Sequence, residues 1–362
     1  MIRIAVVGLG KMGLSHLAMI RAHPEVEVVA VVDATGYVLD VLAKYTGLHT
    51  FPDLDAALGA VEVDAVIIAT PTRLHAPMVR SALTRGVHVF CEKPLTLSAA
   101  ESLELAALAE SAGLITQVGY HNRFVGAFRE VKRLLDLGAI GRVTHMQAEA
   151  YGPVVLKAKG STWRSKRTEG GGCLYDYAAH PLDLLSWYAG APRAVGGTVL
   201  GSVFSEDTED EVFGTLFYDG GMHAQISVSW SDESFRKMTT RVTATGTLGR
   251  IEADRQEVRV YLREQAPELD GYERGWNVKY TTELTDPVWF YLRGEEYSAQ
   301  LDHFVRRVAG EVSDGLNSFT SAAVTDRVLE LLTIDAARGP STTDASEEPP
   351  PPVRRGRRGR RA

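Results

Sequence analysis

Cysteine is almost missing from this sequence. Only Cys91 and Cys173 occur in 362 residues, and neither stands in a C-x-x-C or Cys/His spacing. Nothing therefore suggests a metal or redox pair, and both read as buried or incidental thiols. Long apolar runs are also lacking: none reaches the ~18 residues a membrane-spanning helix needs. No charged leader with an apolar core and a small-residue cleavage site precedes the first strand-like run, which gives the expectation of a cytoplasmic protein. Positive charge is not in excess. With 39 Lys and Arg against 46 Asp and Glu the formal net charge is −7, which argues against nucleic-acid binding by the folded body. No internal repeat of useful period is present, so repeat architectures are set aside.

The composition that remains is that of a globular protein. Hydrophobic residues make up 45% and charged residues 23%, with mean hydropathy near zero, so most of the chain can bury a core. The length favours about two domains. Residues 1–120 alternate β-branched apolar runs (2–7, 26–32, 65–69, 87–90 and 114–118) with amphipathic stretches (14–22, 76–84 and 99–111). That alternation predicts a parallel sheet with helices on both faces, an α/β domain. From about 143 to 260 longer strand-like segments follow one another without intervening helices, including 143–151, 212–218, 222–230 and 239–244. Tyr218-Asp219-Gly220-Gly221 reads as a hairpin turn between two of them. Residues 121–339 are therefore expected to form an α+β domain with a largely antiparallel sheet, and helices are expected at 178–188, 295–308 and 321–337.

Gly8-Leu9-Gly10-Lys11-Met12-Gly13 lies between a strand-like and a helix-like run. In that setting the first glycine makes the tight turn, the second lets the backbone approach a pyrophosphate, and the third lets helix pack on strand. The unpaired N–H groups and positive dipole end of the helix complete a phosphate site. Asp33, twenty residues past Gly13, is placed to accept hydrogen bonds from adenosine ribose hydroxyls and would repel a 2′-phosphate. No Arg follows among Ala34, Thr35 and Gly36. NAD is thus expected rather than NADP.

Cys91-Glu92-Lys93-Pro94 follows the 87–90 strand, at the end where open α/β sheets bind ligands, and Lys93 there can exchange a proton with a substrate hydroxyl. Asp176 and His180 are four apart and share a face if the backbone between them is helical, a carboxylate–imidazole arrangement suited to general acid–base work. Pro181 leaves a second reading open, in which the helix starts at Pro181 and His180 is a structural cap.

Taken in order, the glycine turn with Asp33, Thr70-Pro71-Thr72-Arg73-Leu74-His75, Glu92-Lys93-Pro94, Gly119-Tyr120-His121-Asn122-Arg123-Phe124, and the stretch from Gly170 to Asp183 resemble the glucose-fructose oxidoreductase / inositol dehydrogenase (Gfo/Idh/MocA) family over nearly all of residues 1–340. The resemblance implies a Rossmann domain (1–120) and a second α+β domain (121–339) whose open, mainly antiparallel sheet builds a homodimer or homotetramer. It implies a catalytic set at Lys93, Asp176 and His180. His180 would take a proton from the reacting hydroxyl, Lys93 would orient that hydroxyl, and Asp176 would hold the array. It also implies cofactor contacts from Thr70, Pro71, His75 and Glu92, with Lys11, Met12 and Lys93 beside the dinucleotide, and substrate-side positions at Asn122 and Arg123. For Arg123 an exposed helix-start arginine is the alternative.

The less regular stretch 151–169 holds Lys157, Lys159, Trp163, Arg164, Lys166 and Arg167. It could receive an anionic or nucleotide-linked sugar, with Trp163 stacking on a ring, or be a solvated loop. Residues 340–362 run from a polar, acidic stretch through four prolines into six arginines, and read as a solvated, disordered tail rather than a docking element.

The function expected from all this is hydride transfer between NAD and a secondary alcohol, or its ketone, on a sugar, cyclitol or sugar derivative. The alternatives are glycoside cleavage through transient oxidation by bound NAD, and a non-catalytic dinucleotide-sensing regulator.

Overall fold

The computed structural model describes residues 1–156 and 163–339. Lys157, Lys159 and the arginine tail lie outside these.

The first sheet is built from β1 (Ile2–Val7), β2 (Val26–Val32), β3 (Thr50–Phe51), β4 (Ala65–Ile68), β5 (His88–Cys91) and β6 (Thr116–Val118), interleaved with α1 (Lys11–Arg21), α2 (Gly36–Thr46), α3 (Leu54–Ala60), α4 (His75–Thr84) and α5 (Ala99–Ser111). All strand pairs are parallel, in the order β3-β2-β1-β4-β5-β6. β4 is apolar at every position because both its faces are covered; all four residues are fully buried. The strand order reverses at the β1–β4 pair, so the crevice for a ligand opens over the carboxyl ends of these two strands. The expected strands fall within two residues of the observed ones. β3 has too few residues to carry a periodic signal, and α2 and α3 were not singled out.

After α6 (Gly126–Asp136) the second sheet comprises β7 (Val143–Tyr151), β8 (Ala194–Gly201), β9 (Glu211–Phe217), β10 (His223–Ser229), β11 (Arg241–Gly246), β12 (Gly249–Ala253), β13 (Glu257–Leu262) and β14 (Gly275–Tyr280). Its order is β14-β13-β12-β11-β7-β10-β9-β8. Every pair is antiparallel except β7 with β10, which runs parallel from His145 opposite His223. The β9–β10 hairpin turns at Asp219–Gly221, as read from the sequence. One face of the sheet is core: Met146, Ala148 and Ala150 of β7 and Ala224, Ile226 and Val228 of β10 lie under Leu182 and Leu185 of α7 (Ala179–Ala189). The opposite face leaves Phe213, Phe217, Tyr261 and Trp276 exposed.

The chain then forms the short α8 (Thr281–Leu284) and returns to the first sheet. On α9 (Glu295–Val308), Leu301, Phe304 and Val305 are fully buried against Ile4, Val6, Ile20 and Phe90. Each such side chain contributes about 1.5–3 kcal/mol of burial. The last helix, α10 (Phe319–Arg338), packs against α5, α7 and β8 and ties the two layers together.

Candidate active site

The glycine turn has the geometry a dinucleotide needs. Gly8 adopts φ 87°, and a Cβ on it would stand 2.8 Å from the Ala69 carbonyl. A Cβ on Gly13 would stand 1.6 Å from the Gly8 oxygen, so α1 rests directly on the turn. A Cβ on Gly10 would meet nothing within 4 Å, which marks the open side. Asp33, at the end of β2, accepts from the Leu9 N–H at 2.6 Å and the Thr35 N–H at 2.8 Å. These contacts fix the carboxylate beside the turn, where ribose hydroxyls would lie. The residues present therefore fit NAD: a free helix N-terminus for the pyrophosphate and a fixed carboxylate for the ribose.

At the end of β5, Glu92 lies 2.6 Å from Nε2 of His16 on α1. Burial pushes this carboxyl up, but the hydrogen bond with His16 and the charge of Lys93 outweigh it and hold it below its ordinary value. Lys93 Nζ donates to the Asp176 carbonyl at 2.8 Å and to its Oδ1 at 3.1 Å, while Arg164 Nε donates to Asp176 Oδ2 at 2.7 Å. Burial again opposes ionisation of Asp176; the two cations reverse that and keep it a carboxylate.

Asp176 stands in a π-helical turn, Leu174–Ala178, that runs without a break into α7. His180 is therefore inside a helix rather than capping one, and Pro181 follows it inside the same helical run, where it lacks the N–H an interior position would donate. Although helical spacing holds, no hydrogen bond joins Asp176 to His180; Asp176 is committed to Lys93 and Arg164. The His180 ring instead meets His121 edge-on at 4.9 Å and Tyr120 at 6.4 Å, and its buried Nδ1 has no partner among the described residues. Burial first, then the charges of Lys93 and Arg255, push the His180 imidazole well below the usual histidine range, so it is neutral at neutral pH. The wide turn before it depends on Gly172 at φ 108°: a Cβ there would stand 2.1 Å from Glu209 Oε1, which accepts the Leu174 N–H.

The structure shows how the candidate side chains are held. Arg123 is not an exposed helix-start arginine. It is 3% exposed and forms a buried two-pronged ion pair with Asp183, with bonds of 2.9 and 2.6 Å, and a third bond to Ser321 Oγ. His75 is buried, with both ring nitrogens facing backbone carbonyls of Thr70, Pro94 and Leu95, so its ring clamps the β4 and β5 loops together. Within the stretch 151–169 Arg164 is bound to Asp176 and Arg167 to Glu209, and nearby Arg73 pairs with Glu169. Trp163 lies under the Arg164 guanidinium at 4.7 Å. Asn122 is 1% exposed, and neither of its amide atoms is hydrogen-bonded. His16, His121, Tyr297 and Arg255 were missed. His121 lies within the Gly119–Phe124 motif and His16 on the helix opened by the glycine turn, though neither was singled out; Tyr297 and Arg255 carry no local motif and reach the site through packing of distant elements.

A six-stranded parallel sheet with this glycine turn, an acidic residue closing β2 and a Lys–Asp pair beside the crevice defines the NAD-binding oxidoreductases. The particular family follows from comparison with known proteins. Residues 2–120 match the model of an "oxidoreductase family, NAD-binding Rossmann fold", and residues 128–252 match the "GFO/IDH/MocA C-terminal domain". The chain belongs to the Gfo/Idh/MocA oxidoreductase family. It is 34% identical over 260 residues (66% of this chain, 71% of the relative) to a putative UDP-kanosamine synthase oxidoreductase subunit of Amycolatopsis mediterranei. It is 29% identical over 235 residues (63% and 67%) to scyllo-inositol 2-dehydrogenase (NAD(+)) of Bacillus subtilis. Among solved structures, GenD2 from gentamicin A biosynthesis in complex with NAD superposes with a TM-score of 0.75 at 28% identity, covering 94% of this chain and 95% of that one. No described helix is long and apolar enough to cross a membrane.

Proposed function

We propose that the protein is a dehydrogenase or reductase that moves hydride between NAD and a secondary alcohol, or its ketone, on a sugar, cyclitol or sugar derivative, with Lys93, Asp176 and His180 as its working groups. NAD, when bound, supplies the hydride acceptor or donor. The observation that carries the reading is the Lys93–Asp176 contact at the carboxyl end of β5, beside the glycine turn. Asp176 holds the Lys93 ammonium so that it can bind a substrate oxygen and stabilise negative charge developing there. His180, kept neutral, accepts the hydroxyl proton during oxidation and returns it during reduction. A relative named for an inositol and one named for a nucleotide-linked aminosugar support this substrate range.

The test is incubation of the pure protein with NAD and a panel of sugars, inositols and nucleotide sugars, followed by NADH absorbance. Turnover that disappears in Lys93→Ala and His180→Ala supports the proposal. Turnover indifferent to both refutes these roles, and release of an aglycone without NADH would favour transient oxidation instead.

We further propose that the exposed face of the second sheet joins copies of this chain into a dimer or tetramer, supported by the exposed aromatics Phe213, Phe217, Tyr261 and Trp276 on it. Light scattering on wild type and Trp276→Asp reads this directly.

A further inference from the structure

The arginines that the sequence placed near the site are spent on carboxylates, but of two others from remote parts of the chain one is unpaired among the described residues and one is paired through a single nitrogen. Arg293, just before α9, is one of two non-glycine residues among the described residues in the left-handed region, at φ 71°. A side chain held there is strained, and such strain concentrates at ligand clamps. Its side chain is exposed, has no carboxylate within ion-pair range among the described residues, and lies over the Tyr297 ring at 5.3 Å. Tyr297 stacks on His121 at 4.5 Å and 19°, and His121 meets His180 edge-on. Arg293 is thus linked to the proposed base by three consecutive contacts through two intervening rings.

Arg255, in the turn between β12 and β13, approaches the same place from the second sheet. Its one carboxylate partner among the described residues is Glu296, held by a single guanidinium nitrogen, which leaves the rest of the fork uncommitted. Both arginines add to the positive potential that keeps His121 neutral, and Arg255 acts on His180 as well. Asp176 is already paired with Lys93 and Arg164, and Glu296 with Arg255 itself. Beside His121 in the chain, the buried Asn122 amide has no hydrogen-bond partner among the described residues.

We infer that Arg293 and Arg255 form a receptor for an anionic group, a carboxylate or a phosphate, carried by the substrate on the side of His180 away from Asp176. The inference rests on the proposed oxidoreductase reading and narrows it from sugars in general to charged sugars: uronic acids, sugar phosphates or nucleotide-linked sugars. The arrangement suits such a molecule, because a fixed charge held at one end orients the reacting carbon at the other. Guanidinium forks are the donors that match carboxylate and phosphate oxygens.

The experiment measures binding and turnover separately on the NADH- or NAD-loaded protein, with glucose, glucuronate, glucose 6-phosphate and UDP-glucose as probes. Calorimetry on the NADH complex should show at least one charged probe binding about tenfold or more tighter than glucose, and that preference should collapse in Arg293→Ala while Arg293→Lys retains part of it. Arg255→Ala is a second arm, checked by its melting temperature because Arg255 also holds Glu296. Comparing glucuronate with the two phosphorylated probes distinguishes a carboxylate from a phosphate receptor. Equal binding of all four probes, or a preference that survives Arg293→Ala, overturns the inference. Charged probes that bind through Arg293 yet never reduce NAD would keep the receptor and remove the oxidoreductase reading. Glucose turned over as well as the charged probes, with Arg293→Ala silent, would do the reverse.

Discussion

The ammonium of Lys93, at the end of a strand in the first sheet, lies 2.8 Å from the carbonyl oxygen of Asp176 and 3.1 Å from its carboxylate, eighty-three residues away in a π-helical turn. The pair closes the gap between the two layers at the mouth of the crevice. It also fixes the surroundings of His180: with Asp176 committed to Lys93, the imidazole is held low by burial and by nearby cations, with no carboxylate partner among the described residues.

Replacing Lys93 by Ala should therefore reduce kcat by about 10²–10⁴-fold, the range for loss of a proton-handling group, while leaving the dissociation constant for NADH nearly unchanged. Stopped-flow turnover and NADH fluorescence titration check the two halves.

Because the His180 imidazole is held below the ordinary histidine range, its base form is already present at neutral pH. The rate of alcohol oxidation should rise with pH through an inflection in the acid range and then stay flat from about pH 7 to 8. A kcat/KM profile that inflects above pH 7 and loses that inflection in His180→Gln would contradict a depressed histidine.

Gly10 and Gly13 should respond oppositely to alanine. At Gly10 the backbone is extended, with φ −67°, and the Cβ position is open, so Gly10→Ala should change stability by no more than about 0.5 kcal/mol yet weaken NADH binding where the pyrophosphate approaches. At Gly13 the added carbon would strike the Gly8 oxygen, and Gly13→Ala should cost about 3 kcal/mol or more. Thermal melts paired with NADH titration separate the two.

Asp33→Ser removes the carboxylate that would oppose a 2′-phosphate. The ratio of NADP to NAD use should rise about tenfold or more, read as kcat/KM for each cofactor.

Asp326 of α10 is buried between Thr96 and Ser102, with Oδ1 unpartnered, and burial pushes its carboxyl up to about 7, against the pull of the Ser102 hydrogen bond. The folded protein then holds a proton that the unfolded chain has released between roughly pH 4 and 7. Stability should fall as pH rises through that window, by at most about 4 kcal/mol. Asp326→Asn should flatten the fall, raising the melting temperature at pH 8 but not at pH 4.

Much of the first layer could be read in advance, because its signals are local. The G-x-G-x-x-G turn, Asp33 and the alternation of apolar runs each lie within about twenty residues, and a continuous apolar run is what a strand covered on both faces must be. The second sheet was legible as a class and at its β9–β10 hairpin, but not strand by strand. The parallel β7–β10 pair joins segments some seventy residues apart, and no periodicity reports which distant strand will be the neighbour.

By itself the sequence determined the order of elements, the dinucleotide turn and the resemblance that places Lys93, Asp176 and His180 in one constellation. Only the tertiary structure decided what each side chain is spent on. Arg123, a candidate for the substrate, is consumed by Asp183. Arg164 is drawn to Asp176. Arg293 and Arg255, which stand in no motif, reach the neighbourhood of His180 because α9 folds back onto the first sheet and the β12–β13 turn reaches it. A charge acts over a few ångströms of space whatever the separation in sequence, so its partner is fixed by packing and cannot be read from spacing.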